Sequence, residues 1–498
     1  MTLRHLKKNY RAECILAAVI FTFIFVISGI VIHRYYYGGS HYYDLGIMNQ
    51  VVYNTSRGRF LEMTNPEFNE NMSRFAIHFD PILAFFAPFY LVFVSPVILL
   101  VGQTVIVSLG AVAVYLLALF YTKRKKHGLV FALLYLAYFP IQRSLLFDFH
   151  AVTLAIPLLL FSIYFALIKR RSVSLLFIIL ALLTKEHVGL VTSLLGLYFF
   201  FVKREYRFGF VIFILSVFFF ITTFFYVIPT FRTESHFALK YVTHNEGSMQ
   251  VSSIITNPYT FVTSTVSGER GRYLITLLGP QLMFIALAPL EFIPAAAELG
   301  INLISSNQNM RSYYFHYNSL IVVFVMWSMI VGFTRFSYYV KKEEDRTLYF
   351  MLFGALLLVQ FYYASPFPSG LVRDRYSPPV MSEQKRKSID IWVDTLNQDE
   401  IKVAATPHLA PFFTTRRYYV NFLFDPAYSD MGTSDSDIIG KLEKYERAEY
   451  VIIDDNEIHF ENPDDMTYRY YLHLQMNVKY ERIYDENGIE VYKKVSAS

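Results

Sequence analysis

The chain has 498 residues, 54% hydrophobic, 18% aromatic and 17% charged, with one cysteine and a formal net charge of +5. A soluble domain carries about a quarter charged residues, so an ordinary soluble globular protein is excluded and an integral membrane protein fits. The single Cys14 precludes an intrachain disulfide, and basic residues on so apolar a chain report membrane topology rather than nucleic-acid binding.

The start, MTLRHLKKNYRAE, is followed by the apolar run 14–32. That run is long for a signal peptide, and HRYYYGGSHYY offers no small-residue cleavage site. It is expected to be an uncleaved first span, about residues 13–33. Basic clusters follow at Lys123–Lys126, Lys169–Arg171 and Lys203, Arg204 and Arg207, matching Arg4, Lys7, Lys8 and Arg11 at the start. The positive-inside rule puts all four in the cytoplasm. The first outer loop, 34–80, is then outside.

Parity shapes the next stretch. Two full crossings between His78 and Lys123 would leave KRKK outside. The first run, 80–94, is short and carries Pro81 and Pro88, so it is expected to lie in the interface, and 97–121 to cross inward. Crossings are then expected at 128–147, 151–168, 173–184, 188–202 and 208–228. After an outer loop at 229–272 come 273–290, 293–304, 317–338 and 347–363, with KKEEDR (341–346) cytoplasmic. The sum is about eleven crossings, with no internal repeat apparent.

A proline-rich linker, 365–382, leads to a region of soluble composition. Residues 402–406, 418–423 and 450–454 read as buried strands, and YERIYDENGIEVYKK as a hairpin turning at Asn487-Gly488. SEQKRKSIDIWVDTLNQ and DMTYRYYLHLQM read as helices. The expected fold class is a polytopic α-helical membrane protein, 1–364, with a small extracytoplasmic α/β domain, 383–498. His408, directly after the first strand, is a candidate ligand contact; a structural helix-start role is the alternative.

With this topology the polar residues at the ends of the apolar runs gather on the outer side: Asp44, Asn49 and Gln50; Arg74, His78 and Asp80; Arg143, Asp148 and His150; Lys185, Glu186 and His187; Arg270 and Arg272; Arg311 and His316. Ionisable residues at a bilayer are costly and mark function. Some have a plainer role open to them. Asp44 and Asp80 are good helix caps, Asp80 with Pro81 behind it, Lys185 suits snorkelling, and Arg270 and Arg272 suit interfacial anchors. Taken together, cations here would hold phosphate and a carboxylate or imidazole would serve as general base. Asp44, Asp148 and His150 would also suit a divalent cation, although no dense metal motif is present.

The series YYDLGIMNQVVYNTSRGRF, HFDPILAFFAPFY, FDFHAVTLAIPLLL, LLTKEHVGL, PAAAELGINLISSN and VAATPHLAP resembles a family of bacterial and archaeal predicted membrane proteins. It is similar to the GT-C superfamily of membrane glycosyltransferases. The resemblance implies a GT-C-like fold and a sugar donor carried on polyprenyl phosphate. It implies that Asp44, in the first outer loop, is base or metal ligand, and that Asp148 belongs to a second acidic motif, with His150 in place of a second acid. It implies that Lys185 lies near the donor phosphate, followed by Glu186-His187 where Glu-Asp is commoner. The expected partners are membrane lipid, the lipid-linked sugar and an acceptor the sequence leaves open. The other reading of the same residues is a transporter or flippase for a lipid-linked or anionic solute, which would place its substrate near the midplane between related repeats.

Overall fold

A computed structural model of the protein describes residues 10–65, 70–232, 266–339, 345–365, 374–375, 380–422, 444–462 and 465–495, with 257, 259 and 263. They form a mostly helical membrane protein with several apolar spans and a mixed sheet near the C-terminus. Two compact units result: Met1–Ile30, Phe75–Ile82 and Val101–Tyr376 make the first, and Val31–Arg74, Leu83–Leu100 and Ser377–Ser498 the second. Residues 341–344 of the charged KKEEDR stretch, most of the loop 229–272 and most of the linker 365–382 lie outside the described residues.

Among the described residues four helices are long and apolar enough to cross a bilayer: α1 (Arg11–Tyr36), α2 (Val97–Thr122), α8 (Tyr206–Arg232) and a span His316–Tyr338 whose α-helix is α12 (Ser319–Tyr339). A fifth results if α3 (Lys125–Ala137) and α4 (Phe139–Leu146), bent by 45°, count as one. The bend falls at Tyr138, which is extended, and Pro140 removes a backbone donor just beyond it. Shorter apolar helices are Pro81–Tyr90, α5 (Ala151–Leu167), α6 (Arg171–Leu182) and α7 (Val188–Val202).

The sequence led us to expect two crossings over 273–304, but this stretch is broken into short helices. It holds α9 (Gly268–Leu278), α10 (Leu282–Leu287) and α11 (Ala296–Ile304), joined by turns. The breaks coincide with Pro280, Pro289 and Pro294, each unable to donate to the preceding turn.

In the first unit α12 is central, with 83% of its apolar window buried against 28% for α1 and 22% for α8. Helices α7 and α8 touch through glycine. A Cβ on Gly196 would come within 2.6 Å of the Phe213 nitrogen, and one on Gly189 within 2.8 Å of the Ser216 oxygen. Small residues let the backbones approach where packing, not hydrophobicity, drives helix association.

This bundle has two unlike ends. At one, Lys125 pairs with Glu13 at 2.7 Å, the His127 ring meets Phe333 and Trp327 donates to the Tyr121 hydroxyl. There too the buried Glu291 accepts from Tyr198 at 2.9 Å and lies 3.4 Å from Arg335. Helices α11, α7 and α12 lead from here to the other end, where His78, His150, His187, His316 and Glu298 lie.

The second unit is built on a five-stranded sheet: β1 (Val403–Ala405), β2 (Tyr419–Asn421), β3 (Tyr450–Asp454), β4 (Tyr480–Glu486) and β5 (Ile489–Lys494), in the order β2-β1-β3-β5-β4. β1 is parallel to both β2 and β3, and β5 is antiparallel to β3 and β4. The β4–β5 turn is Asn487-Gly488, with φ of 56° and 76°, the left-handed pair that this hairpin turn requires. After α13 (Asp345–Tyr363), which belongs to the first unit, α14 (Glu383–Thr395) and α15 (Met466–Met476) flank the sheet.

The first loop packs with this sheet. Its helix Ile47–Ser56 is preceded by a π-helical turn, Tyr42–Gly46. Asn49 donates to the Thr414 hydroxyl at 2.9 Å, Gln50 donates to the Arg417 carbonyl at 3.0 Å, and the Tyr42 ring lies 5.1 Å from Tyr419. Both amides are fully buried, so the Asn49-Gln50 pair clamps the loop to the C-terminal segment.

Candidate functional site

At the polar end of the first unit, five sequence segments meet. The α6–α7 turn presents Lys185, Glu186 and His187. It is drawn to the segment after the first loop by a backbone bond, Ile82 nitrogen to Leu183 oxygen, 3.1 Å. Glu186 is buried. One carboxylate oxygen lies 3.0 Å from His78 Nδ1, and the other accepts from the Phe79 amide at 3.1 Å. On the next residue the polarity reverses: His187 Nε2 lies 3.2 Å from the buried carboxylate of Glu298, on α11. Consecutive residues thus make two carboxylate–imidazole pairs with two other segments.

Between α4 and α5 the chain turns through Asp148, Phe149 and His150, all buried. Gln103, on α2, holds this turn. It donates to the Asp148 carbonyl at 3.3 Å and accepts from the His150 amide at 2.7 Å. His150 is thereby set against His316, the ring centroids 3.6 Å apart and the planes 19° from parallel. His316 is 6% exposed, and neither of its ring nitrogens has a hydrogen-bond partner among the described residues. The charged groups that act on it are those of His150, Lys185, His78 and His187. All of them can be cationic; His78 and His187 face the carboxylates of Glu186 and Glu298, so an anion beside His316 would draw chiefly on Lys185 and His150.

The loop after α11 is held by neutral polar groups. Tyr273 donates to Asn318 at 2.7 Å, and Asn302 donates to the Tyr317 carbonyl at 2.8 Å. Arg311 donates to the Ser305 carbonyl at 2.5 Å, with Glu269 3.6 Å from its Nε. Arg270 donates to the Leu303 carbonyl at 2.8 Å, and burial together with Arg311 lowers its proton affinity. Arg272 is exposed. Arg143 is buried with its guanidinium 5.0 Å over the Tyr314 ring. Asp80 is buried and directly precedes a 3₁₀ turn beginning at Pro81, where a cap would stand.

Asp44 belongs to the second unit, as does the buried Arg74. The sequence offered Asp44 as a helix cap. It lies instead inside the π-helical turn, half-buried, and His41 is the cap, its Nδ1 accepting from the Tyr43 amide at 3.4 Å. In the same unit the His408 amide donates to Glu457, and His408 Nδ1 lies 3.1 Å from the Ser40 carbonyl. Among the described residues no three His, Cys, Asp or Glu side chains gather as a metal site would need. The divalent cation considered for Asp44, Asp148 and His150 has no such cluster behind it.

A family model described as Predicted membrane protein (DUF2079) matches residues 39–491. The chain belongs to this family. The match takes in every candidate residue named above, and the family's description agrees with the apolar spans. No curated protein matches. Among solved structures the chain is similar to ArnT from Cupriavidus metallidurans bound to undecaprenyl phosphate, with a TM-score of 0.42 and 12% identity over 98% of this chain and 99% of that one.

Glu298 and Gln103 escaped the sequence reading as site residues. Glu298 had a signal, a lone carboxylate inside the apolar PAAAELGINLI. Gln103 had none, because a neutral amide in an apolar run looks like tolerated polarity.

Proposed function

We propose that this protein transfers a sugar from a polyprenyl-phosphate donor to an acceptor at the outer face of the membrane. The observation that carries the reading is the buried, unpartnered imidazole of His316, set among His150, Lys185, His78 and His187 at the polar end of an apolar bundle. A lipid phosphate is the anion that reaches such a place with its chain in the bilayer. The opposite end carries Lys125 and Arg335, and the positive-inside rule makes that end cytoplasmic. The short helices then cross as well, giving about eleven crossings, a cytoplasmic N-terminus and a C-terminal domain outside.

In this reading the donor phosphate lies with Lys185 and the histidines, and Arg270 and Arg272 flank the approach. A base takes the proton of the acceptor hydroxyl as the hydroxyl oxygen bonds to the anomeric carbon, the part that the resemblance to GT-C enzymes gives to Asp44. The bond from that carbon to the phosphate oxygen breaks, and its electron pair stays on the lipid phosphate. The leaving group is already anionic, so fixed cations supply most of the stabilisation. A carboxylate can serve as base once its surroundings tune it.

The test is a membrane assay with radiolabelled polyprenyl-phosphate sugars and the purified protein. Transfer of label to an acceptor is expected from the wild type and its loss from Asp44→Asn. Label that crosses the bilayer without being transferred would overturn the reading in favour of a flippase.

A further inference from the structure

The C-terminal sheet has a switch point. From β1 the chain leaves to β2 on one side, and β3 lies on the other, all three parallel. In open α/β sheets the crevice at the carboxyl ends of two such strands is where a ligand binds. Here those ends are Thr406 to His408 after β1, and Asp455 to Glu457 after β3. They are joined across the crevice, the His408 amide donating to both oxygens of Glu457 at 3.1 and 3.2 Å. Asp454 is fixed by its own amide on the Thr406 hydroxyl, 3.1 Å.

What the crevice holds is the chain's own first loop. His408 Nδ1 donates to the Ser40 carbonyl at 3.1 Å. Its ring meets His41 edge-on, centroids 5.2 Å apart. His41 in turn caps the turn Tyr42–Gly46 through the Tyr43 amide, and Asp44 is the acid of that turn. Two residues on, a Cβ at Gly46 would come within 3.2 Å of the Tyr42 ring, a tight contact, and Gly46 lies against Ala410 and Thr414, just beyond β1. Every step from Glu457 to the Asp44 turn is a hydrogen bond or a ring contact within one compact unit.

We propose that His408, held by Glu457, is a positioning residue for Asp44: the C-terminal domain uses its ligand crevice to hold the π-helical turn that carries the carboxylate. This gives the domain a part in the proposed reaction and rests on the reading in which Asp44 works as base. Burial pushes the Glu457 carboxyl up to about 6, the charge of His408 and a bond from Thr406 oppose this, and Asp454 adds to it. Lys385, from α14, is engaged with Asp454 and Asp455, so the direct backbone bond that Glu457 receives from this loop is the His408 amide.

The experiment uses the full-length protein and two readouts. Hydrogen exchange of the amides 42–47 is expected to speed up about tenfold in His408→Ala, and to return toward wild type in His408→Asn, whose amide can replace Nδ1–H. Glu457→Gln is expected to loosen the same amides, while strands β1 and β3 stay protected. In transfer assays His408→Ala should lower kcat with donor KM little changed, and add nothing in an Asp44→Asn background. Unchanged exchange at 42–47, or loosening spread evenly over the sheet, overturns the proposal. A wild type that transfers no sugar overturns the reading of Asp44 as base and leaves the exchange result to decide whether the domain holds the turn.

Discussion

The rings of His150 and His316 stack face to face, 3.6 Å between centroids, and both ring nitrogens of His316 are without a hydrogen-bond partner among the described residues. A buried polar group left without a partner costs about 1–3 kcal/mol, a cost that a bound anion would offset and that an apolar ring would not carry. His316→Phe keeps a flat ring for the stack and removes the nitrogens. The variant should melt at or above the wild-type temperature, because an apolar ring replaces an unsatisfied one. Its affinity for undecaprenyl phosphate, measured by native mass spectrometry, should fall about tenfold. Equal binding by the two proteins would show that the ring is packing alone.

Glu186 makes a separable prediction because its two oxygens do different work. One faces His78, and the other holds the Phe79 amide. Glu186→Gln keeps an acceptor for the amide and loses the charge opposite His78; Glu186→Ala loses both. Alanine should therefore cost stability, about 1–3 kcal/mol for the stranded amide, while glutamine stays near wild type in melting and loses transfer activity. A glutamine variant with full activity would remove the charge of Glu186 from the mechanism.

The site was legible wherever a charged residue ended an apolar run. Lys185, Glu186 and His187 stand in one short turn, and Asp148 and His150 in another, because charges are costly anywhere else on such helices. His316 was legible for the same reason. The partners were harder. Glu298 is buried within an apolar helix, and only the facing His187 explains it. Gln103 is neutral, and its role depends on a backbone turn 45 residues away. In the fold, the strands and the Asn487-Gly488 hairpin were legible from local pattern. The π-helical turn at Asp44 was not, because cap propensity favours the aspartate and the cap is His41.

The opposite end of the bundle supplies a control. Glu291 is buried, accepts from Tyr198 and pairs with the partly exposed Arg335. Glu291→Ala strands the Tyr198 hydroxyl, a loss of about 1–3 kcal/mol. The detergent-solubilised variant should melt lower and still bind undecaprenyl phosphate as the wild type does. A specific loss of lipid binding at unchanged stability would move the anion site away from the histidines.

The last prediction concerns acid. Asp465 caps α15, accepting from the Thr467 amide at 2.7 Å, with His459 3.0 Å from its other oxygen. Hydrogen bonds from Thr467 and His459 hold its pKa down, to about 2. A carboxyl depressed in the folded state stabilises above its unfolded pKa, near 3.9, and that contribution is lost as the pH falls toward 2. Asp465→Asn retains an oxygen acceptor and has nothing to titrate, whereas Asp465→Ala loses the cap, about 1 kcal/mol. Hydrogen exchange of Met466–Met476 should therefore quicken below pH 4 in the wild type beyond the intrinsic trend, stay flat in the asparagine variant, and be fast at every pH in the alanine variant. An asparagine variant that follows the wild-type acid profile would place the sensitivity at another carboxyl.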